Sequence, residues 1–188
     1  MDYCIRLAQP SDVDYLPTIE RTAAQQYLPY ISKLGLTPEN LDDTVSVKVL
    51  THAQRQQHLW VAVVSDSSSL LLAGFVVVNR LGNGFFIVEL DVLPTYGRQG
   101  IGFALVNQVL NAAHEQNYPT VTLTTFRYIP WTIPFYHRLG FEIVGPENYT
   151  PDIQTIVDHE EHRGFSRQVR VVMQCQIPNR FSIRSVPS

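Results

Sequence analysis

A short glycine-rich segment is the first part of this 188-residue sequence in which residue types and spacing suggest chemistry. It reads GRQGIG at residues 97–102, directly after an apolar stretch that ends at Pro94 and directly before an apolar periodic segment. Glycine tolerates positive φ and lets a ligand approach the backbone, and the first turn of a helix offers unpaired N–H groups and a positive dipole end. The segment therefore predicts a site for a pyrophosphate, to which Arg98 adds a cation. A tight turn that only allows close helix packing is the alternative.

Other nucleotide-binding and metal-binding motifs fail on spacing. A P-loop needs a lysine after its last glycine, and none follows here. A dinucleotide-binding fingerprint needs a third glycine where Leu105 stands. Residues 159–162, HEEH, space their histidines more closely than a zinc-protease motif does, and we interpret them as a solvated helix end. No metal site is predicted.

The turn lies in a sequence whose apolar periodicity predicts an α/β arrangement. Strands are expected at residues 3–7, 58–65, 70–79, 85–92, 121–125, 141–144 and 169–177. Helices are expected over 101–117 and, in shorter form, over 133–139.

Two further helices are expected between the first and second strands. Ser11 with Asp14 has the spacing of a capping box, and Pro17 predicts either a kink or a later helix start. Residues 37–38, Thr-Pro, are a second start signal, followed by apolar residues at fourfold spacing over 41–49.

Length and composition predict one domain over residues 1–177 and a loose C-terminal tail over 178–188. Hydrophobic residues make up 45%, charged residues 16%, and the net charge is −3, which is typical of a globular protein without a nucleic-acid-binding face. Polar residues 66–69 favour a hairpin connection. No apolar run is long enough to cross a membrane, and no signal peptide is expected. Cys4 and Cys175 lack metal-ligand spacing, so we expect a cytoplasmic location.

Two motifs together resemble the GNAT superfamily of acyl-CoA-dependent N-acyltransferases. Its cofactor motif, [Q/R]-x-x-G-x-[G/A], matches residues 97–102 at the fourth and sixth positions and departs at the first, where the arginine is displaced to Arg98. Its F-Y-x-x-x-G-F helix matches residues 135–141, after a strand at 123–127. The resemblance covers about residues 5–144 and is specific over 85–144. It implies a GNAT-type fold, a mixed and largely antiparallel sheet flanked by helices, with a splayed central strand pair that holds the cofactor.

The resemblance also implies the cofactor and its contacts. Acetyl-CoA would be the co-substrate, with its pyrophosphate on the main-chain amides of the turn and its pantetheine arm on the main chain of the preceding strand. Many relatives carry a cofactor-contacting asparagine at the position of Thr132, whose hydroxyl would replace that contact. The implied cofactor-binding residues are Leu90, Asp91, Val92, Gly97, Arg98, Gln99, Gly100, Ile101, Gly102, Phe103 and Thr132.

Acetyl transfer to an amine requires a neutral amine, a polarised carbonyl and a protonated leaving thiolate. An alkyl ammonium has a pKa of about 10.4, so a base or a water chain must remove a proton. Glu89 is the nearest candidate for the base, with a surface or salt-bridged carboxylate as its alternative, and a backbone N–H of the same strand would polarise the carbonyl. Tyr136 matches the position of the thiolate-protonating acid in GNAT relatives, and an aromatic core role is its alternative.

The acceptor is the least determined part of the prediction. Glu20, Tyr27 and Tyr30 lie in the helical region that forms the acceptor pocket in relatives, where they would cradle a cationic amine or serve the core. We expect an N-acetyltransferase for a primary amine of a small molecule, and a homodimer is compatible with this. Two alternatives stay open: a protein N-terminal or lysine acetyltransferase, and a catalytically silent acyl-CoA-binding module.

Overall fold

A seven-stranded sheet in the order β1-β2-β3-β4-β5-β7-β6 frames the protein, whose structure is a computed structural model describing residues 2–66 and 69–178. Every neighbouring pair is antiparallel except β4 and β5, which are parallel. The strands are β1 (Tyr3–Leu7), β2 (Leu59–Asp66), β3 (Ser69–Leu81), β4 (Gly84–Val92), β5 (Thr120–Phe126), β6 (Glu142–Val144) and β7 (Arg170–Gln176).

Helices cover both faces of this sheet. One core cluster packs α4 against residues such as Phe85 and Leu123, and a second packs α1 and α3 against residues such as Val61 and Phe75. The amphipathic spacing of α4 puts Ile101, Leu105 and Val109 on its buried side. The helices are α1 (Leu16–Ala24), α2 (Ile31–Leu34), α3 (Val47–Arg55), α4 (Ile101–Glu115), α5 (Thr132–His137) and α6 (Pro151–His162).

The predicted fold class, a mixed and largely antiparallel sheet flanked by helices, is confirmed. Each predicted strand is present, with ends that differ by up to two residues from the expected ones. The predicted tail lies outside the described residues from 179 onward, and residues 67 and 68 of the predicted hairpin connection are also outside them.

Two predicted helix starts are wrong in detail. Residues 37–38 begin only a single 3-10 turn, Pro38–Leu41, because the next helix has its own cap at Ser46, whose hydroxyl oxygen accepts from the Val49 N–H at 3.4 Å. Near the N-terminus, Asp12 rather than Asp14 completes the cap, accepting from the Gln9 N–H at 2.7 Å. Helix α1 then starts late, with Pro17 in its first turn, which is one of the two expected outcomes.

The two central strands separate halfway along their length. Strands β4 and β5 pair only through residues 85–87 and 121–123. Beyond that point the register of the described residues pairs β4 with β3 alone and β5 with β7 alone. An opening therefore lies between the C-terminal halves of β4 and β5.

A bulge at Val88 accompanies this separation and reverses which face the following side chains occupy. In the register of β3 with β4, Val77 lies opposite Glu89 and Val78 opposite Ile87, so Val88 is the extra residue. Val88 packs with the α1 and α3 cluster, whereas Leu90 and Val92 pack with the α4 cluster. Glu89 and Asp91 consequently point to the α1 face of the sheet.

Gly74 is the closest approach between β3 and the end of β4. A Cβ atom added there would lie 3.0 Å from the Val92 Cα and closer still to the Asp91 carbonyl oxygen, and both are backbone atoms. We expect Gly74→Ala to lower the free energy of unfolding by about 1–3 kcal/mol, measured by urea denaturation. Gly102→Ala is the matched control, because its Cβ would meet Phe135 at an ordinary 3.5 Å. Equal stability of the two variants would contradict this packing.

Candidate active site

The glycine-rich turn leads directly from the end of β4 into α4. Gly100 is the N-terminal cap of α4 and has φ +85°, and Arg98 has φ +59°. The N–H groups of residues 98–103 make no main-chain hydrogen bond within the described part of the chain, and the first such bond runs from the Ala104 N–H to the Gly100 carbonyl at 2.9 Å. Six consecutive N–H groups are therefore available to an anion at the positive end of the helix dipole.

This turn lies beside the opening between the central strands. A Cβ atom on Gly102 would contact Phe135 on one side and the Val92 side chain on the other, at 3.5 and 3.8 Å. The first turn of α4 is therefore in contact with both α5 and the end of β4. An extended ligand bound on the turn would enter the opening.

The main chain of β4 presents its own donors to the opening. The Leu93 N–H donates to the Ala73 carbonyl of β3 at 2.8 Å. Because successive N–H groups of a strand alternate in direction, those of Leu90 and Val92 point the other way, toward the opening. The Leu90 N–H meets Oε1 of Glu89 there at 3.2 Å.

Three carboxylates cluster on the α1 side of β4. Glu20, Glu89 and Asp91 each place one oxygen within 4.8 Å of the other two. Both oxygens of Glu20 accept from the Val45 N–H at 3.0 Å. Oδ2 of Asp91 is buried and has no hydrogen-bond partner among the described residues. Glu20 and Asp91 are only 6% and 7% exposed, so water does not solvate these charges freely.

Burial raises the pKa of all three carboxyl groups, and repulsion within the cluster raises the pKa of Glu20 and Asp91 further. Burial and then the charge of Glu89 raise the pKa of Glu20 to about 8. Burial raises the pKa of Glu89, against the lowering effects of the Leu90 N–H and of Arg170. Burial, with the charges of Glu89 and Glu20, raises the pKa of Asp91 well above its usual value. At neutral pH the cluster therefore carries fewer than three negative charges.

Aromatic rings form the wall next to the carboxylates. The Tyr27 ring stacks on Trp131 with centroids 6.2 Å apart, and Tyr30 meets the same indole edge-on at 5.5 Å. Burial raises the pKa of Tyr27, and the nearby charges of Asp91 and Glu89 raise it further. Trp131 remains 38% exposed, so the wall extends from the cluster toward solvent.

Tyr136 faces the same space from α5. Its ring packs edge-on against Phe135 and Phe141, at centroid distances of 4.9 and 5.6 Å. Its hydroxyl makes no hydrogen bond to another described residue. Burial raises its pKa, and Tyr27, Glu89 and Asp91 raise it further, so the phenol is protonated at neutral pH and is available as a donor.

An ion pair borders the other side of the opening, on the half of β5 that has lost its partner strand. Two guanidinium nitrogens of Arg170 donate to Glu160, at 2.8 and 3.0 Å, and one also donates to the Thr124 hydroxyl at 2.7 Å. Residues 159–162 were interpreted as a solvated helix end, which holds for the exposed His159, Glu161 and His162 but not for Glu160. Its position on α6 faces the sheet, where Arg170 pairs with it and leaves its side chain 16% exposed.

The comparisons with known proteins decide the family. Residues 25–141 match the acetyltransferase (GNAT) family, a span that contains the turn, the opening and α5. The chain belongs to the GNAT family of acetyltransferases. The predicted membership and the predicted enzyme class, acyl-CoA-dependent N-acyltransferase, are thereby confirmed.

Solved GNAT structures share this fold at low sequence identity. The PaiA N-acetyltransferase of Thermoplasma acidophilum, solved with coenzyme A, is 16% identical with a TM-score of 0.69, over 94% of this chain and 99% of its own. The ribosomal-protein-S18-alanine N-acetyltransferase of Escherichia coli is 17% identical with a TM-score of 0.62, over 94% of both chains. N-acetylglutamate synthase of Neisseria gonorrhoeae, solved with coenzyme A and N-acetyl-glutamate, is 13% identical with a TM-score of 0.68, over 95% of this chain and 36% of its own. The described helices include none that could span a membrane.

Several of the residues predicted for the site lie near one another. Glu20 and Glu89 belong to the acidic cluster, and the charges of Glu89 and Asp91 raise the pKa of both Tyr27 and Tyr136. Tyr30 contacts the Trp131 ring on which Tyr27 stacks. Thr132 is buried and its hydroxyl donates to the Phe126 carbonyl at 2.7 Å, so it ties α5 to the end of β5 and retains only a lone pair for a ligand.

Sequence reasoning missed three contributors to the site: the Asp91 side chain, Trp131 and the pair of Arg170 with Glu160. Asp91 had a local signal, because it lies two positions after Glu89. The others are brought in only by the packing of distant segments.

The raised pKa values of the acidic cluster predict that the free energy of unfolding falls as the pH rises. An acid whose pKa is higher in the folded protein than in the unfolded chain binds more protons when folded, so its contribution to stability falls as the pH rises. For Glu20 this window runs from its ordinary value of 4.5 to about 8. We expect Glu20→Gln to gain stability relative to the parent across that window, measured by urea denaturation at a series of pH values. Glu115→Gln, at the exposed end of α4, is the control, and parallel pH profiles for all three proteins would contradict the prediction.

Proposed function

We propose that this acetyltransferase moves the acetyl group of acetyl-CoA to a primary amine of a small molecule by direct attack. The observation that carries the proposal is the opening between β4 and β5. It has unpaired N–H groups at one end, and carboxylates and a protonated tyrosine beside it. The two deepest carboxylates are almost fully buried, which favours an acceptor small enough to enter over a folded protein surface.

Acetyl-CoA would bind along the turn and the free edge of β4. Its pyrophosphate would accept from the N–H groups of residues 98–103, and Arg98 would add a cation at the exposed side. The pantetheine amides would pair with the main chain of residues 90–92, whose donors point into the opening. Phe103, which is 45% exposed, would cover the cofactor from α4, and Thr132 would border it with its remaining lone pair. No metal enters this proposal.

Glu89 would act as the general base. Its carboxylate lies at the Leu90 N–H, which is also the donor best placed to polarise the thioester carbonyl once the acetyl group displaces that contact. Glu89 first takes one proton from the ammonium, and the neutral amine nitrogen then forms a bond to the carbonyl carbon. The second proton of the nitrogen leaves as the carbonyl re-forms, and it balances the proton that the thiolate gains. Because burial raises the pKa of Glu89, its carboxylate form is a stronger base than an exposed glutamate. The same burial also favours the protonated form of Glu89, which does not act as a base.

Tyr136 would act as the general acid. When the bond between the carbonyl carbon and sulfur breaks, the thiolate takes the electron pair. The Tyr136 hydroxyl then donates a proton or a hydrogen bond to the sulfur. Since burial and nearby carboxylates keep the phenol protonated, it is in the required state throughout the neutral pH range.

The cytoplasmic location and the homodimer that the sequence analysis gives both stay predictions.

An acceptor screen tests the proposed function. The protein is incubated with acetyl-CoA and panels of small amines and of peptides, with free thiol release as the readout and mass spectrometry of the acetylated product. Turnover on small amines supports the proposal. Turnover only on peptide N-termini or lysines would replace it by the protein-acetyltransferase alternative. Tight coenzyme A binding without turnover on any acceptor would favour the silent module.

Gly102→Glu tests the cofactor position. A carboxylate on the first turn of α4 would repel the pyrophosphate and occupy space next to Phe135. We expect coenzyme A affinity measured by calorimetry to fall at least about 10-fold, on the order of the 1.4 kcal/mol that a tenfold change represents. Gly102→Ala is the matched control and should bind more tightly than Gly102→Glu. Unchanged affinity in Gly102→Glu would place the pyrophosphate elsewhere.

Tyr136→Phe separates general-acid catalysis from packing. The substitution keeps the ring and its contacts with Phe135 and Phe141, and removes only the hydroxyl. We expect kcat to fall on the order of 100-fold with coenzyme A affinity retained. Tyr118→Phe is the control, because its ring packs on Phe85 before the start of β5, where β4 and β5 are still paired. A Tyr136→Phe variant with nearly full kcat would assign this tyrosine to packing.

A further inference from the structure

The acidic cluster contains more carboxylates than the acetyl transfer uses. Proton removal from one amine needs one base, and Glu89 is at the Leu90 N–H for that purpose. Glu20 and Asp91 lie deeper, within 4.8 Å of it. Within residues 2–66 and 69–178, none of the three carboxylates forms a salt bridge with an arginine, lysine or histidine.

Asp91 points independently to a missing donor. It is only 7% exposed, and its Oδ2 is buried without a hydrogen-bond partner among the described residues, whereas buried polar atoms in proteins are almost always satisfied. The same side chain offers a carboxylate oxygen to the cluster formed with Glu20 and Glu89. A group that donates hydrogen bonds and carries positive charge would satisfy it and would offset the repulsion among the carboxylates.

The reacting nitrogen of the acceptor does not remain a positively charged hydrogen-bond donor during the reaction. It attacks as a neutral amine after its proton has passed to Glu89, and as an amide it stays neutral. The charge that Glu20 and Asp91 match must therefore come from a second group of the acceptor, one that stays cationic throughout. This step rests on the proposed function.

We propose that the acceptor is an aliphatic diamine or a longer polyamine, whose second ammonium group binds between Glu20 and Asp91 while the first amine lies at Glu89. Each ammonium would donate charge-assisted hydrogen bonds to carboxylate oxygens. The deep ammonium would complete the hydrogen bonding of Asp91, and Glu20 would keep its contact with the Val45 N–H.

The size of the cluster limits the distance between the two nitrogens. The three carboxylate oxygens lie within 4.8 Å of one another, so with hydrogen bonds of about 2.8 Å at each end the nitrogens would be at most about 8 Å apart. An extended alkyl chain advances about 1.25 Å per bond, so a chain of up to about five methylene groups fits this distance. Diaminobutane and diaminopentane fall within this range.

The aromatic wall suits the rest of such a ligand. The charges of Asp91 and Glu89 raise the pKa of Tyr27, and the ring of Tyr27 stacks on Trp131, which reaches solvent. Methylene groups pack on aromatic faces, and a further ammonium of a longer polyamine would be attracted to the exposed indole face. The wall thus extends the acceptor site outward, along the direction in which a longer polyamine would lie.

Matched amines test the proposal on the whole chain. The kcat/KM values for diaminobutane and diaminopentane are compared with those for butylamine and pentylamine, which have the same chain and one ammonium. We expect each diamine to exceed its monoamine by about 10- to 100-fold, the range given by one charged hydrogen-bonded contact. Equal values for diamines and monoamines would overturn the diamine inference while leaving the proposed acetyl transfer intact. No transfer to any amine would instead remove the proposed function.

Variants of the two deep carboxylates locate the preference. Glu20→Gln and Asp91→Asn keep the side-chain shape and remove the charge, so the ratio of diamine to monoamine kcat/KM should fall toward one. Glu115→Gln at the exposed end of α4 should keep the full ratio. Calorimetry of diaminobutane added to the complex with coenzyme A gives a second measurement that does not depend on turnover. A ratio and a diamine affinity that both survive in Glu20→Gln and Asp91→Asn would overturn the assignment to this cluster.

Discussion

The loss of pairing between β4 and β5 after Ile87 is the constraint on which the rest of the structure depends. A continuous ladder would have used the N–H groups of Leu90 and Val92 inside the sheet. Because the strands separate, those groups face an opening that an extended ligand is able to enter. Side chains hold the separated strands instead: Arg170 ties the free half of β5 to α6, and Thr132 ties its end to α5.

Electrostatics in this opening follow from burial. Two unit charges 4.8 Å apart repel by about 3–4 kcal/mol at an effective dielectric constant of about 20. The raised pKa values mean that the three carboxyl groups are partly protonated at neutral pH in the absence of a bound cation. Burial of the carboxylates lowers the stability of the fold, and it would also strengthen their attraction to a cationic acceptor. The buried cluster would thus lower stability and favour acceptor binding at the same time.

Much of the fold was predictable because its signals are local. Apolar runs marked the strands, and the glycines at 97–102 with the apolar helix after them marked the turn. The helix expected from residues 37–38 failed because Ser46 offers a competing cap a few residues later, and local start signals do not rank two caps. Which of the two caps begins the helix is settled by the tertiary structure and not by the local sequence.

The sequence by itself determined the turn, the strand before it and the aromatic helix after it, since each depends on neighbours within one motif. Tertiary structure decided how the acidic residues meet. Simple alternation along β4 places Glu89 and Asp91 on the face of Ile87, and the bulge at Val88 moves them to the opposite face, toward Glu20. Strand register depends on how one strand fits its neighbour, and Glu20 reaches the cluster from a helix about 70 residues away in the chain. No local pattern encodes either fact.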